Sequence, residues 1–382
     1  MQLKEKLLKN RIIWEINASI KSFSVVSKYY LWKIYYTCKK NKDVKIPLLM
    51  KNDKPNVIYV GTDEKQDKSG FYQALLANCQ KVIPFTKEDG TWGQYDSDIK
   101  DCADKNIKRL EKIIINSNSV IDCVLMQSWG FSFDCDEMNK LKKIYNFKVI
   151  NIDMDSRLVH RKIFCVGKQN PGIYGLCKCV DLMLVTTREI VTWYLKEGIP
   201  ALYFPLASSE SFYFPMEVDR IYDVGFIGQN YGIRKEIVEY LLQNGVKVEA
   251  RGTGWLHGPI EYTQNNLFFN QCKIVLGIGN IAYCKHFYNP KLRDYDAPMS
   301  GSVYVTNKTN ELLHDYKDGY EIVLISNKKD LVKKIKELLM DENRMDEIRK
   351  NAVKRARTTH TYEKQIKELF DKICETTGAE LK

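Results

Sequence analysis

The sequence predicts an α/β chain of two doubly wound halves, each a parallel sheet covered by helices. Short apolar runs such as Asn56-Val-Ile-Tyr-Val60 and Asp223-Val-Gly-Phe-Ile-Gly228 alternate with stretches whose apolar residues fall at helical spacing. Strands that alternate with helices pair in parallel through crossovers. Glycines follow several of these runs (Gly61, Gly228, Gly252, Gly277), where a strand must turn toward a helix. At 205–222 the pattern breaks at Pro205, Ser208, Ser209 and Pro215, dividing the 382 residues into two parts of ordinary domain size.

Residues 1–45 are read as a basic, amphipathic helical extension. They hold eleven Lys or Arg against three acids, a net of +8 that leaves only +3 of the total +11 for the remaining residues. Ile13, Ile16, Ile20 and Phe23, then Leu31, Ile34 and Cys38, recur at helical spacing, with Tyr29, Tyr30, Trp32, Tyr35 and Tyr36 adding aromatic bulk. Such a stripe either lies on an anionic leaflet or packs on the first domain, and periodicity does not choose between them. No run approaches the roughly 20 apolar residues of a membrane span, and no signal-peptide core is seen.

The first domain is placed at 46–207. Its strand Asn56–Val60 turns at Gly61 toward a helix from Ser69 that carries Phe71, Leu75, Leu76 and Cys79 on one side. Strands are expected at 120–126, 148–152, 181–186 and 201–204, with helices over 101–115 and 188–197. The second domain, 208–355, has strands at 224–227, 246–250, 274–278, 302–306 and 321–325, and helices at 233–243, 262–270, 291–299 and 329–340. A last helix from Tyr362, in the segment 356–382, is expected to return to the first domain.

Composition narrows the function. A 44% hydrophobic content excludes a disordered chain. The nearly neutral body argues against nucleic acid, which asks for a basic stripe over the folded surface. Eleven cysteines without a paired framework, the closest being Cys177 and Cys179, fit a reducing cytoplasm and offer no structural zinc spacing.

Two stretches carry the chemistry. Gly228-Gln-Asn-Tyr-Gly232 and Arg234 follow a buried strand and open a helix, so backbone N–H groups and a guanidinium meet where a phosphate would sit. Further on, Arg293 and Asp296 stand three apart on one helix face, Ser300 and Gly301 close that helix, and an apolar strand follows.

This order resembles the carboxy-terminal half of the glycosyltransferases of the CgeB (spore-maturation) type, which read strand, glycine loop and Arg, then Arg-x-Phe-Glu-Ala-x-x-x-Gly, then His-Thr-Tyr. The chain supplies Arg293-Asp-Tyr-Asp-Ala-Pro-Met-Ser-Gly301 and His360-Thr-Tyr362. The resemblance implies a GT-B architecture, two Rossmann-like domains facing a cleft, and hexosyl transfer from a nucleotide-sugar to a glycan, lipid-linked or protein acceptor without cofactor or metal. It places Arg293 at the diphosphate, among the catalytic residues, and Asp296 at the ribose hydroxyls, where the family has Glu. Related retaining transferases carry a second acid where this chain has Tyr288. The donor pocket would draw on Gly228, Asn230, Tyr231, Arg234, Gly254, Trp255, Asn280, Lys285, Ser300 and Gly301, with His286 beside Lys285.

In the first half, Asp153 and Asp155 follow an apolar strand, and either serves as the base for an acceptor hydroxyl if the enzyme inverts. Their Asp-x-Asp spacing mimics a metal motif that belongs to a different transferase fold. Trp129, at the end of the neighbouring strand, stacks on an acceptor sugar or belongs to the core. The rival expectation is a two-lobed binding or coat-associated protein without turnover.

Overall fold

Strands such as Cys123–Met126 and Leu182–Val185 are buried at every position, which only a sheet covered by helices on both faces allows. A computed structural model describes residues 11–51, 54–161 and 170–374. The leader lysines at 4, 6 and 9, the side chains of Ile13 and Ile16, and the chain past 374 lie outside the described residues.

In chain order the first half comprises α1 (Arg11–Cys38), β1 (Asn56–Val60), α2 (Glu64–Lys68), α3 (Phe71–Asn78), β2 (Lys81–Pro84), α4 (Cys102–Asn116), β3 (Cys123–Met126), α5 (Cys135–Tyr145), β4 (Lys148–Asp153), α6 (Ser156–Val159), β5 (Leu182–Val185), α7 (Arg188–Glu197) and β6 (Ala201–Tyr203). The second comprises β7 (Tyr222–Ile227), α8 (Arg234–Gln243), β8 (Val248–Arg251), α9 (Asn265–Asn270), β9 (Cys272–Leu276), α10 (Arg293–Met299), β10 (Val303–Asn307), α11 (Asn310–Asp315), β11 (Val323–Ile325), α12 (Lys328–Leu339), α13 (Glu342–Thr359) and α14 (Tyr362–Ile373). Helix starts follow local chemistry. Asp134 accepts from the N–H of Asp136 and Glu137 to cap α5 at 2.9 and 3.0 Å, and Asn327 does the same for α12.

Both sheets are parallel with one topology, β2-β1-β3-β4-β5-β6 in the first and β11-β10-β9-β7-β8 in the second. In each the chain starts in the middle, steps to one side, then crosses back. The order therefore reverses between β1 and β3 and between β7 and β9, and ligand crevices form outside the carboxyl ends of strands at such a reversal.

The chain divides into two compact units, Lys39–Ser209 with the segment from Thr361 onward, and Glu210–His360 with α1. In the first, α14 lays Tyr362 edge-on to Phe71, ring centroids 5.6 Å apart, and the Tyr362 N–H donates to the Ser208 carbonyl at 3.1 Å. In the second, Tyr29 of α1 is buried 4.7 Å from the Phe287 ring, and the Cys284 thiol reaches the Ser22 carbonyl at 3.8 Å. The leader, expected on the first domain if it packs, divides: Lys39 and Lys42 reach Glu197 of the first unit at 2.7 and 2.9 Å, while α1 groups with the second.

The expected elements did not include β2, α13 or the helices α2, α5, α6 and α11. β2 is a half-buried edge strand that ends in Pro84, and the next N–H, that of Phe85, donates to the Tyr59 carbonyl of β1 at 2.8 Å. α13 is highly charged and buries only a narrow stripe of Met345, Ile348, Ala352 and Ala356, with Arg349 paired at 2.6 Å to both Glu342 and Asp346.

His160 makes the first unit acid-sensitive. It is buried among the rings of Tyr174, Trp193 and Tyr194, and burial, then the Arg161 charge, pulls it down to about 3. The unfolded chain binds this proton from about pH 6.5 downward while the folded one refuses it, so stability falls by about 1.4 kcal/mol per pH unit between those values. Urea unfolding at stepped pH should show that slope lessened by one proton in His160→Phe; parallel slopes would place the acid sensitivity elsewhere.

Candidate functional site

Topology puts the crevice of the second unit beyond the carboxyl ends of β7 and β9, and three loops meet there. The loop after β7 starts at Gly228 (φ +150°) and includes Gly232 (φ +62°). A Cβ on Gly232 would lie 1.8 Å from the Ala282 carbonyl oxygen, so this glycine is what lets the β7 loop rest on the loop after β9. Ile233 N–H donates to that same carbonyl at 3.0 Å. From the other side Gly252 (φ +134°) brings the β8 loop against the Gly228 carbonyl, which accepts the Trp255 indole N–H at 2.7 Å.

Two guanidiniums converge on Gly228. A Cβ there would meet Nη1 of Arg293 at 2.9 Å and Nη1 of Arg234 at 3.1 Å, and both cations lie over the Phe226 ring, at 4.8 and 5.6 Å from its centroid. Arg293 gives Nη1 to the Ile227 carbonyl at 2.5 Å, and Arg234 gives Nη1 to Gln229 at 3.0 Å. Nε and Nη2 of Arg293 and Nε of Arg234 are buried without a hydrogen-bond partner. Neither cation has an ion pair among the described residues. Burial, with the Arg293 charge second, lowers Arg234 to about 10, still charged at neutral pH. Arg234 also opens α8, whose N-terminus has no side-chain cap, so its first N–H groups add to the same positive field.

Arg293 is aimed by its neighbour. Asp294 is buried, accepts the Lys291 N–H at 2.7 Å and the Tyr304 hydroxyl at 2.6 Å, and so fixes the first turn of α10. Burial raises the Asp294 pKa above the ordinary carboxylate value. Gly277 makes room for this pair, since a Cβ there would fall 2.1 Å from the Tyr304 hydroxyl. Sequence reading passed over Asp294 and Tyr304; the signal was an acid three residues after Lys291 at a helix start.

Other expected residues divide. Asp296 does not pair with Arg293; it is buried on the side of α10 where its charge acts on Tyr213 and Tyr316. Asn280 donates its amide to the carbonyls of Cys284 and Lys285, leaving its buried Oδ1 without a partner, while Lys285 and His286 are exposed on that loop. Tyr288 closes the loop by donating its hydroxyl to Lys285 at 2.8 Å. Tyr231 is half-exposed, 6.4 Å from Tyr283. Asn230 binds the Gly254 carbonyl, so both tie loops together.

Three residues expected at the ligand have structural contacts in this unit. Trp255 is half-buried, packs edge-on against Phe226 and spends its N–H on Gly228, which shapes the loop. Ser300 is fully buried and donates its hydroxyl back to Asp296 O within its own helix. Gly301 (φ +75°) ends α10 against Pro215.

In the first unit the reversal between β1 and β3 holds a buried carboxylate that sequence reading missed. Asp67 accepts from Tyr59 at 2.9 Å, Gln127 at 3.2 Å, Trp92 at 3.1 Å and the N–H groups of Thr62 and Asp63. A Cβ on Gly61 would fall 2.1 Å from its Oδ2. Asp153 is corrected as a base, because it is fully buried and accepts the Tyr194 hydroxyl at 2.7 Å. Asp155 is only half-buried, at the carboxyl end of β4. Trp129 is half-buried and edge-on to Phe131.

A family described as glycosyl transferase-like matches residues 234–371, from Arg234 through α10 into α14. No curated protein matches the chain in sequence. Among solved structures it is similar to sucrose-phosphate synthase of Thermosynechococcus elongatus, with a TM-score of 0.60 and 10% identity, covering 83% of this chain and 98% of that one. It is also similar to a glycosyltransferase from Rickettsia africae ESF-5 (TM-score 0.56, 10% identity, 84% and 99% covered). A third is Anabaena HepE in complex with UDP and glucose (TM-score 0.56, 10% identity, 83% and 98% covered). The chain has the α/β fold of these GT-B proteins, with two parallel-sheet, Rossmann-like units.

The contact of Gly232 with Ala282 can be tested apart from any ligand. Gly232→Ala meets both strain and a backbone clash and should cost on the order of 1–3 kcal/mol, read as a lower urea midpoint. Gly245→Ala has a similar φ of +79° but open space for its Cβ, so it should lose less. Equal losses in both would mean the loops are not wedged together.

Proposed function

We propose that this chain is a glycosyltransferase whose second unit binds a nucleoside diphosphate-sugar and stabilises the departing diphosphate. The observation that carries this is the Arg234–Arg293 pair, two cations over Gly228 with no ion pair among the described residues, at the uncapped start of α8. A dianion is the ligand that relieves such a pair. As the bond from sugar to phosphate oxygen breaks, negative charge grows on the leaving group, and fixed guanidinium and backbone N–H groups stabilise it. The family description over residues 234–371 supports the same reading.

Finer features follow as parts of this proposal. The two arginines supply the counter-charge that a metal would otherwise give, so turnover is metal-independent. Asn280 Oδ1, buried and unpartnered, accepts from the nucleoside. Acceptor binding belongs to the carboxyl edge of the first sheet, with Asp155 as the base and Trp129 as the apolar face for a sugar. The motif at 293–301 and the His360-Thr-Tyr sequence support the CgeB-type relationship, a hexosyl donor, and a glycan, lipid-linked or protein acceptor. The site lies in the cytoplasm.

Calorimetry with nucleoside diphosphates and a panel of radiolabelled nucleotide-sugars tests this. Arg293→Ala and Arg234→Ala should each weaken diphosphate binding by about 1.5–3 kcal/mol, the range for hydrogen bonds to charged groups. Slow hydrolysis of one sugar nucleotide by the parent separates a transferase from a binding protein. Undiminished affinity in both variants, with unchanged melting, would remove the arginine pair from the site.

A further inference from the structure

Helix α1 is apolar on two opposite sides. Tyr29 and Tyr36 are buried, and Tyr29 rests on Phe287. Ile20, Phe23, Leu31 and Ile34 are 60–76% exposed, and at about 100° per residue they fall within roughly a quarter-turn of one another, facing away from Tyr29. Tyr30 and Tyr35 flank this stripe, and Lys28 is exposed beside Leu31 and Tyr35. Large apolar groups left this exposed in one row mark an interaction surface.

We propose that this stripe docks the second unit on an anionic lipid leaflet. Charge selects the occupant. Residues 1–45 carry a net +8, which repels a second copy of the same helix and attracts acidic headgroups. No helix among the described residues is long and apolar enough to cross a membrane, so the helix lies in the interface plane with its apolar stripe down. Its opposite side holds Phe287 and Cys284, in the loop that also carries Asn280 and Ala282. That places the leaflet about one helix diameter, roughly 10–12 Å, from the loop beside the arginine pair. The proposal stands apart from the transferase reading, since lipid binding and diphosphate binding are measured separately.

The full chain is floated through a density gradient with vesicles of phosphatidylcholine alone, or of phosphatidylcholine with phosphatidylglycerol. It should rise with the anionic vesicles and stay behind with the neutral ones. Raising salt from about 0.1 M to 1 M, which shortens the screening length from about 10 Å to 3 Å, should lower the bound fraction at least tenfold. Phe23→Ser combined with Leu31→Ser, both at exposed positions, should melt with the parent yet fail to float. Lys28→Glu should bind about tenfold more weakly. A parent that does not float with anionic vesicles overturns the proposal, as does a double-serine variant that floats like the parent. A parent that sediments as a dimer, releases to monomer in the double-serine variant and binds no lipid assigns the stripe to a second copy and overturns it equally.

Discussion

The second unit is organised around one electrostatic constraint, two half-buried guanidiniums side by side with no ion pair among the described residues. Like charges a few ångströms apart and partly withdrawn from water repel, and unmet buried N–H groups add the desolvation cost of each. Such a pair persists only if the surrounding structure holds it. Arg293 is anchored by Ile227 and aimed through the buried Asp294–Tyr304 contact, and Arg234 is tied to Gln229. The face of Phe226 under both cations offers a weak attraction in place of an anion. Gly228 completes the arrangement by having no side chain where the two Nη1 atoms stand.

Holding three loops at this point accounts for much of what the sequence left unexplained. Trp255 is spent on the Gly228 carbonyl, Asn230 on Gly254, and the Asn280 amide on its own loop. Each was a reasonable ligand contact on position alone. The structure shows that a residue at a strand's carboxyl end has two employments, shaping the crevice and filling it, and only hydrogen-bond partners distinguish them. Asn280 does both, with its N–H groups committed and its oxygen left open.

The double α/β series, the break near residue 210 and the glycine loop with Arg234 were legible because they depend on local periodicity and on residues next to one another in sequence. β2 and α13 were not. The first is an edge strand too short to show alternation, and the second buries a stripe so narrow that its charges mask it. Ser300 and Gly301 fell inside a motif and were read with it, though Gly301 ends a helix and Ser300 serves the same backbone. Asp294, one place from Arg293, was overlooked because its partner Tyr304 lies on the following strand. Asp67 was invisible for the same reason, since Tyr59, Trp92 and Gln127 come to it from separate elements.

The two sheets share one topology, and their reversal points offer a controlled comparison. At the first, a buried carboxylate receives five hydrogen bonds, and Gly61 is closed against it. At the second, two half-buried cations have no ion pair among the described residues and keep buried N–H groups unmet. Since native proteins satisfy nearly all buried polar groups, a charge that the fold completes internally is architecture, and a charge that it leaves incomplete marks where something else is meant to bind. The sign of what is missing follows from the sign of what is present. Two cations at the open end of a helix call for an anion of more than one charge, and the loops that hold them without an ion pair among the described residues keep that place for it.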